Sequence, residues 1–433
     1  MDRSESIIFK GKGIFTSDNS RVESHFIIQR QFSHTLLIIQ EEDSAGLFSS
    51  QFNILDLYSL SGQLEDGRPI SAEKLMIART GGSDGLTELY PLTGVVIGLS
   101  NSSPLIEAQY PLVGMFEGNL SIEYSGWKIE ILESDQNSLV AKRRSKEWRI
   151  PLEGLTLRLA NPQKTLEEYH QKAKGIMLLL SLATGNGVTC HRQIANWGAL
   201  GMMEVWRNMT GGEIGPGAIV PSFQLDKFLT QALPLWSQWE SDKKSDVRLA
   251  ISYINLSATG YLDTRLFQIS QAWEFLAASW VPKGKLNDSE RNLRARIKAS
   301  YREWKKEAPE ADPNGFWGGR VAFPFQWPLA KRQMESLAAS RNIAFSKIGL
   351  DLEVLKEARD SVAHTGKLIK QMTSTKNNNS QLLSSAQFGL QLVLIVELGY
   401  TGLVVSPSKG WETYVPIEKF FKEGKTCGSD LHS

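Results

Sequence analysis

The spacing of apolar residues changes once along the chain, and that change restricts the fold more than any other feature. Up to about Leu159 apolar side chains alternate: Leu120, Ile122 and Tyr124, then Trp127, Ile129 and Ile131 beyond Ser125-Gly126, and later Leu155, Leu157 and Leu159. A period of two belongs to a strand with one buried face, and a turn pair between two such runs predicts a hairpin. The segments Ile7 to Phe15, Phe26 to Ile39 and Tyr90 to Leu99 are strand-like as well. From Thr165 the period becomes helical: Leu166, Tyr169, Ala173, Ile176 and Leu180 form one stripe, and Thr165 with Glu168 has the spacing of a capping box. The expectation is an α+β multidomain chain. A β-rich sandwich or barrel occupies residues 1–160, a linking helix and connector 161–235, an all-α domain 236–405, and a tail 406–433.

The charges nearly balance, 48 Lys and Arg against 47 Asp and Glu, which argues against a protein that coats nucleic acid by charge alone. Two cysteines, Cys190 and Cys427, cannot staple a secreted scaffold. With no charged-then-apolar leader at Met1, a reducing cytoplasm is expected. The apolar run Ile176 to Leu182 is too short to span a bilayer. Phe388 to Val405 is interrupted by Gln391 and Glu397 and reads as part of a buried closing helix from about Gln381 to Leu403, so no membrane partner is expected. His25 and His34 lie in strand-like runs, and Cys190-His191 is a lone adjacent pair; neither has metal-ligand spacing, and no metal or cofactor is expected. Gly211 to Gly217 lacks the lysine and hydroxyl of a phosphate-binding loop and reads as a turn.

The helical half should begin near Phe223, with Pro234 ending or kinking its first segment. Asp246 to Ala258 forms a compact helix, and Asp263 caps a longer one whose stripe is Leu266, Ile269, Trp273, Leu276 and Trp280. Glu274 lies beside that stripe; it either reaches Arg359 or stays in water. Lys285 to Lys306 holds eight Lys or Arg and three Asp or Glu, with Tyr301 and Trp304 interleaved. Cations and rings together suit single-stranded nucleic acid, which makes Arg294, Arg296, Lys298 and Arg302 candidate RNA contacts, although a basic helix face is usually just solvated. Glu307 to Pro328, with Phe316, Trp317 and Phe323, reads as a long loop, and Thr373 to Ser380 as a polar connector.

Asp351 to Gly366 carries the chemistry. Leu352, Leu355 and Val362 recur with helical spacing, Asp351 suits the N-cap, and Gly366 suits a left-handed C-cap. The helix ends in Arg359-Asp360-Ser361-Val362-Ala363-His364. Histidine moves protons near neutral pH, and arginine offers a permanent charge that fits phosphate oxygens. Asp360 and His364 are one turn apart, so the carboxylate can orient the imidazole. Arg359 and His364 are roughly 140° apart on an ideal helix. Either the last turn is distorted, or two copies of the helix meet so that each chain completes the other's site; the second is favoured.

This R-D-x-x-x-H pattern at a helix end resembles the signature of HEPN domains. The resemblance implies an all-α bundle that forms a homodimer or higher oligomer and cuts RNA without metal. In that reading Arg359 and His364 are catalytic, Asp360 orients the histidine, and Glu274 joins the site. A sheet-rich region followed by a helix and Leu179-Leu180-Ser181-Leu182-Ala183-Thr184-Gly185 is similar to the layout of ApeA-like HEPN proteins. That likeness implies bacterial defence against phage, with a phage-derived trigger acting on the N-terminal module. The rival expectations are a non-catalytic HEPN-like module that binds a nucleotide or a partner, and a structural dimerisation element.

Overall fold

The computed structural model describes residues 7–31, 34–40, 56–80, 86–98, 104–114, 119–133, 153–190, 192–206, 215–282, 285–312, 326–365, 379–406 and 413–422. The chain divides into two compact units, Met1–Ile214 with Ser222–Leu233, and Gly215–Pro221 with Pro234–Ser433. The first is β-rich and the second helical.

Among the described residues, unit 1 contains one thirteen-stranded sheet, antiparallel at every pairing. Strands β1 (Ile7–Thr16), β2 (Arg21–Gln31), β3 (His34–Gln40), β6 (Leu86–Pro91), β5 (Pro69–Thr80) and β4 (Leu57–Leu64) follow one another, and β4 pairs with both β1 and β5, which closes a barrel. Alternation fills it: Phe15, Phe26, Ile28, Leu37, Ile39, Tyr58, Leu60 and Leu75 point inward and exclude water. The β1–β4 seam leaves no room for side chains at its glycines. A Cβ on Gly62 would stand 2.5 Å from the Lys12 carbonyl oxygen and 2.7 Å from the Gly13 Cα.

The sheet then continues from β5 through β7 (Val95–Ile97), β13 (Met202–Trp206), β12 (Arg192–Asn196), β8 (Glu107–Val113), β11 (Glu153–Ala160), β10 (Trp127–Glu133) and β9 (Leu120–Tyr124). The β9–β10 hairpin turns at Ser125 and Gly126, both at positive φ (52° and 77°), as a primed two-residue turn requires. Helix α1 (Leu166–Thr184) has the expected Thr165–Glu168 capping box and ends on left-handed Gly185. Its Tyr169, Ala173, Ile176 and Leu180 are buried. Lys172 lies half-buried on the same helix, its Nζ 4.6 Å from the Tyr124 ring centre and 6.0 Å from that of Trp127. Among the described residues no carboxylate pairs with it.

The strand-like segment Phe26 to Ile39 falls in β2 and β3, and Tyr90 to Leu99 contains the end of β6 and the whole of β7. Elsewhere the expected layout needs correcting. Residues 161–206 are not a connector alone, because β12 and β13 lie inside the sheet between β7 and β8. Helix α2 (Leu225–Gln238) runs through Pro234, where the division between the units falls, and does not stop there.

Unit 2 is built on α4 (Leu262–Trp280), which packs against α3 (Ser241–Leu256), α6 (Gln326–Ala339), α8 (Leu352–Thr365) and α9 (Asn379–Glu397). Leu266, Ile269, Trp273 and Leu276 of α4 are buried, while Trp280 is half-buried with its Nε1 donating to Asp246 Oδ2 at 3.1 Å. Tyr261, not Asp263, is the N-cap of α4, and Asp263 sits in its first turn, where a carboxylate favours the dipole. Trp273 is fully enclosed and donates to the Ala386 carbonyl of α9 at 2.9 Å. Gly389 permits that approach, since a Cβ there would meet Ile348 Cδ1 at 2.6 Å and Trp273 Cζ2 at 3.1 Å. The single turn Phe345–Ile348 is α7.

Helix α9 is buried on almost all sides and ends at Glu397, earlier than expected. Among the described residues no helix is long and apolar enough to cross a membrane. Unit 2 is not purely helical either. Leu403–Val405 (β14) pairs with Tyr414–Pro416 (β15), so part of the expected tail belongs to the unit. The segments Phe316, Trp317 and Phe323, His191, Cys427, Gly366 and most of the Thr373 to Ser380 connector lie outside the described residues.

Candidate active site

Helix α8 starts where Asp351 accepts the free backbone N–H groups of Glu353 and Val354, at 2.9 and 3.3 Å. A carboxylate suits that position because it satisfies donors with no partner inside the helix and carries the favourable charge for the dipole. Leu352, Leu355, Ala358 and Ser361 are buried and fix the rotation of the helix. Arg359 then falls at the flank of the buried face, towards α4.

There its guanidinium is clamped. Nη1 donates to Glu274 Oε1 of α4, while Nε and Nη2 donate to Asp360 Oδ1 at 2.9 and 2.6 Å. The three side chains keep 19%, 24% and 33% of their surface in the order Arg359, Glu274, Asp360, so the cluster is shielded without being sealed. The sequence left Glu274 open between Arg359 and solvent; it reaches Arg359. Burial pushes the Glu274 carboxyl above the ordinary glutamate range, Arg359 draws it back, and the nearby Asp360 charge adds to the rise. Burial acts the same way on Asp360, yet hydrogen bonds from Arg359 and Lys356 outweigh it and hold that carboxyl below its usual value.

Lys356 was not singled out from sequence. Its Nζ lies 3.0 Å from Asp360 Oδ2, one helical turn away. The signal was present as Lys-x-x-x-Asp, a spacing that places the two side chains on one face. Asp360 thus uses one oxygen on Arg359 and the other on Lys356. His364 belongs to the last turn of α8, but its side chain lies outside the described residues.

The candidate RNA contacts share α5 (Asp288–Glu307), a helix with no buried residue, capped by Asn287 and Glu290. Arg294 is half-buried with its Nε enclosed and unpartnered among the described residues, and Arg296, Lys298 and Arg302 are exposed. Helical geometry puts Arg294, Lys298 and Arg302 on one flank and Arg296 roughly 160° from Arg294, so the four do not form one strip. Tyr301 donates to Asp312 and stands 5.9 Å from Trp304 between ring centres, which leaves Trp304 the more available ring at 38% exposure. Helix α6 bridges the two charged helices: Arg332 pairs with Glu290 of α5, and Lys331 with Glu353 of α8 at 2.7 Å.

His25 is exposed on β2, and the side chain of His34 lies outside the described residues. Among the described residues, no group of three His, Cys, Asp or Glu is placed to hold a metal ion. Comparison with models of protein families, with curated proteins and with solved structures gives no match.

Proposed function

We propose that unit 2 is a HEPN-type endoribonuclease that cuts RNA by attack of its own 2'-hydroxyl, without a metal, at a centre formed by Arg359, Asp360 and His364. The observation that carries this reading is the clamp on Arg359. A charged side chain near the end of an amphipathic helix is held by a carboxylate from a different helix, Glu274, at the positions where the R-D-x-x-x-H pattern falls. Fixing charged groups before substrate arrives is how an enzyme stabilises a developing phosphate charge without reorganising itself. His364 acts as acid or base, Arg359 offsets the phosphate charge, and Asp360 sets the local geometry. Two copies of α8 meeting about a two-fold bring the separated Arg359 and His364 positions into one cleft. Unit 1 is the sensing module, responding by its likeness in layout to a phage component and releasing unit 2.

The deciding experiment incubates the purified full chain with single-stranded RNA and with DNA of the same sequence, in EDTA. RNA cut to cyclic-phosphate ends by the wild type, uncut by His364→Ala, and DNA left intact is the expected result, because DNA lacks the attacking hydroxyl. A His364→Ala protein that cuts as well as wild type overturns the reading. The alternative is a module that binds a nucleotide or a partner and cuts nothing. The occupation of Arg359 by two carboxylates favours it, since a saturated guanidinium can serve packing alone. It predicts no cleavage by the wild type and, for His364→Ala, either a loss of RNA affinity or no change.

A further inference from the structure

If α8 carries an RNA-cleaving centre, Arg359 does not by itself present positive charge to a phosphate. Its fork faces Glu274 on one side and Asp360 on the other, one cation against two carboxylates. With both carboxylates ionised that trio repels an anion, and the sign of the local field depends on the next nearest cation. Lys356 is that group, with its Nζ 3.0 Å from Asp360 Oδ2 and 28% of its side chain exposed.

Its place on the helix matters as much as its charge. Counting about 100° per residue, Arg359 lies roughly 60° to one side of Lys356, Asp360 roughly 40° to the other, and position 364 roughly 80°. Along the axis Lys356 stands about 4.5 Å from Arg359, one turn nearer the start of the helix, and about 12 Å from position 364. A phosphate at the Arg359 end of the motif therefore comes within reach of Lys356, whichever copy of the helix supplies position 364.

We propose that Lys356 is the cation that contacts the scissile phosphate, and that Arg359 is a positioning residue that anchors Asp360 and, through it, the lysine. The proposal rests on the nuclease reading above and revises one role in it: the direct phosphate contact given there to Arg359 passes to Lys356, a residue outside the R-D-x-x-x-H pattern. A lysine ammonium is compact and has three donors, so it can keep its hydrogen bond to Asp360 while donating to a phosphate oxygen.

The test uses the full-length protein in three forms, wild type, Lys356→Gln and Lys356→Arg, and three readouts. The first is RNA cleavage, where Lys356→Gln should lose about 10- to 100-fold in kcat/KM and Lys356→Arg, which keeps the charge, should recover part of it. The second is the salt dependence of single-stranded RNA binding, whose logarithmic slope should fall by about one in Lys356→Gln. The third is reductive methylation of Lys356 with and without uridine 3'-monophosphate, which should shield the amine. If wild type cuts RNA and Lys356→Gln cuts equally well, or Lys356→Arg is no better than Lys356→Gln, the lysine assignment is overturned while the nuclease stands. If wild type cuts nothing yet the nucleotide shields Lys356, the nuclease falls and the phosphate contact stands. No shielding together with an unchanged salt slope overturns the assignment outright.

Discussion

Each unit buries part of a cation, and they do so by opposite means. In unit 1 the Lys172 ammonium lies against the rings of Tyr124 and Trp127 with no carboxylate beside it among the described residues. In unit 2 the Arg359 guanidinium is gripped by Glu274 and Asp360. The consequence differs in where the cost of burial falls. Lys172 bears it directly, and burial pushes its amine down to about 8. At Arg359 the cost of a crowded site shows on Glu274, whose carboxyl is driven up by burial. Ring faces shield a charge and leave it weakly solvated, whereas carboxylates solvate it and must then be compensated themselves.

The comparison breaks most visibly at Arg359. Arg359→Ala leaves Glu274 and Asp360 facing each other without their shared cation. Loss of one partner from a fully buried ion pair costs about 3–5 kcal/mol, and the partial exposure here lowers the expectation to about 2 kcal/mol. Urea melts of the full chain followed by helical circular dichroism measure it. A loss below about 0.5 kcal/mol would mean that the clamp is decorative.

At Lys172 the prediction is a dependence on pH. The folded value is depressed to about 8 from the 10.5 of a free lysine, so its favourable contribution is complete above 10.5 and disappears as pH falls through about 8. Near neutrality the charged amine is a cost. Lys172→Met keeps the chain against the rings and removes the proton, so its stability relative to wild type should be greatest at pH 7 and decline by pH 10. Paired melts at pH 7, 8, 9 and 10 test this. A flat difference would show that the rings offset the lost hydration completely.

What the sequence revealed follows the reach of each interaction. The Thr165–Glu168 capping box, the Ser125-Gly126 turn and the Asp351 cap all link residues within three positions, and each stands where expected. Strands β12 and β13 were missed because they are five residues each and find their outer partners in β8 and β7, some hundred positions earlier in the chain. The pairing of Leu403–Val405 with Tyr414–Pro416 was hidden by the strong apolar run that precedes it. At the site, Arg359 and Asp360 were visible as a motif and Glu274 as an oddly placed acid. Lys356 was equally visible as a residue, but its meaning depends on Arg359 turning towards α4, which only tertiary packing decides.

A smaller effect sharpens the Arg359 side of the comparison. The Glu274 carboxyl is raised on folding, so its favourable contribution belongs to acid conditions and is lost as pH rises through its folded value; the lowered Asp360 has the opposite slope, losing its contribution as pH falls. Glu274→Gln still offers Arg359 an oxygen and deletes the first slope only. The difference in stability should therefore move in favour of the variant between about pH 4 and pH 7, by less than roughly 1 kcal/mol for a partly exposed group. Movement the other way would mean that the Arg359 attraction dominates over burial.

The smallest effect is expected at Arg296, Lys298 and Arg302 of α5, which among the described residues lack the ring contact of Lys172 and the carboxylate grip of Arg359. Arg296, Lys298 and Arg302 are exposed, and the helix contributes no buried residue to the unit. Surface charges of this kind are worth little to folding, so Arg296→Ala and Lys298→Ala should each change stability by less than about 0.5 kcal/mol. If α5 touches RNA, the same variants weaken binding at low salt and lower its salt slope by about one per contact. The faces then separate the residues: Lys298 and Arg302 share the flank of Arg294 and should act together, while Arg296 on the opposite flank should not. Equal effects from Arg296 and Lys298 would point to a diffuse electrostatic field instead of a strand lying along one side of the helix.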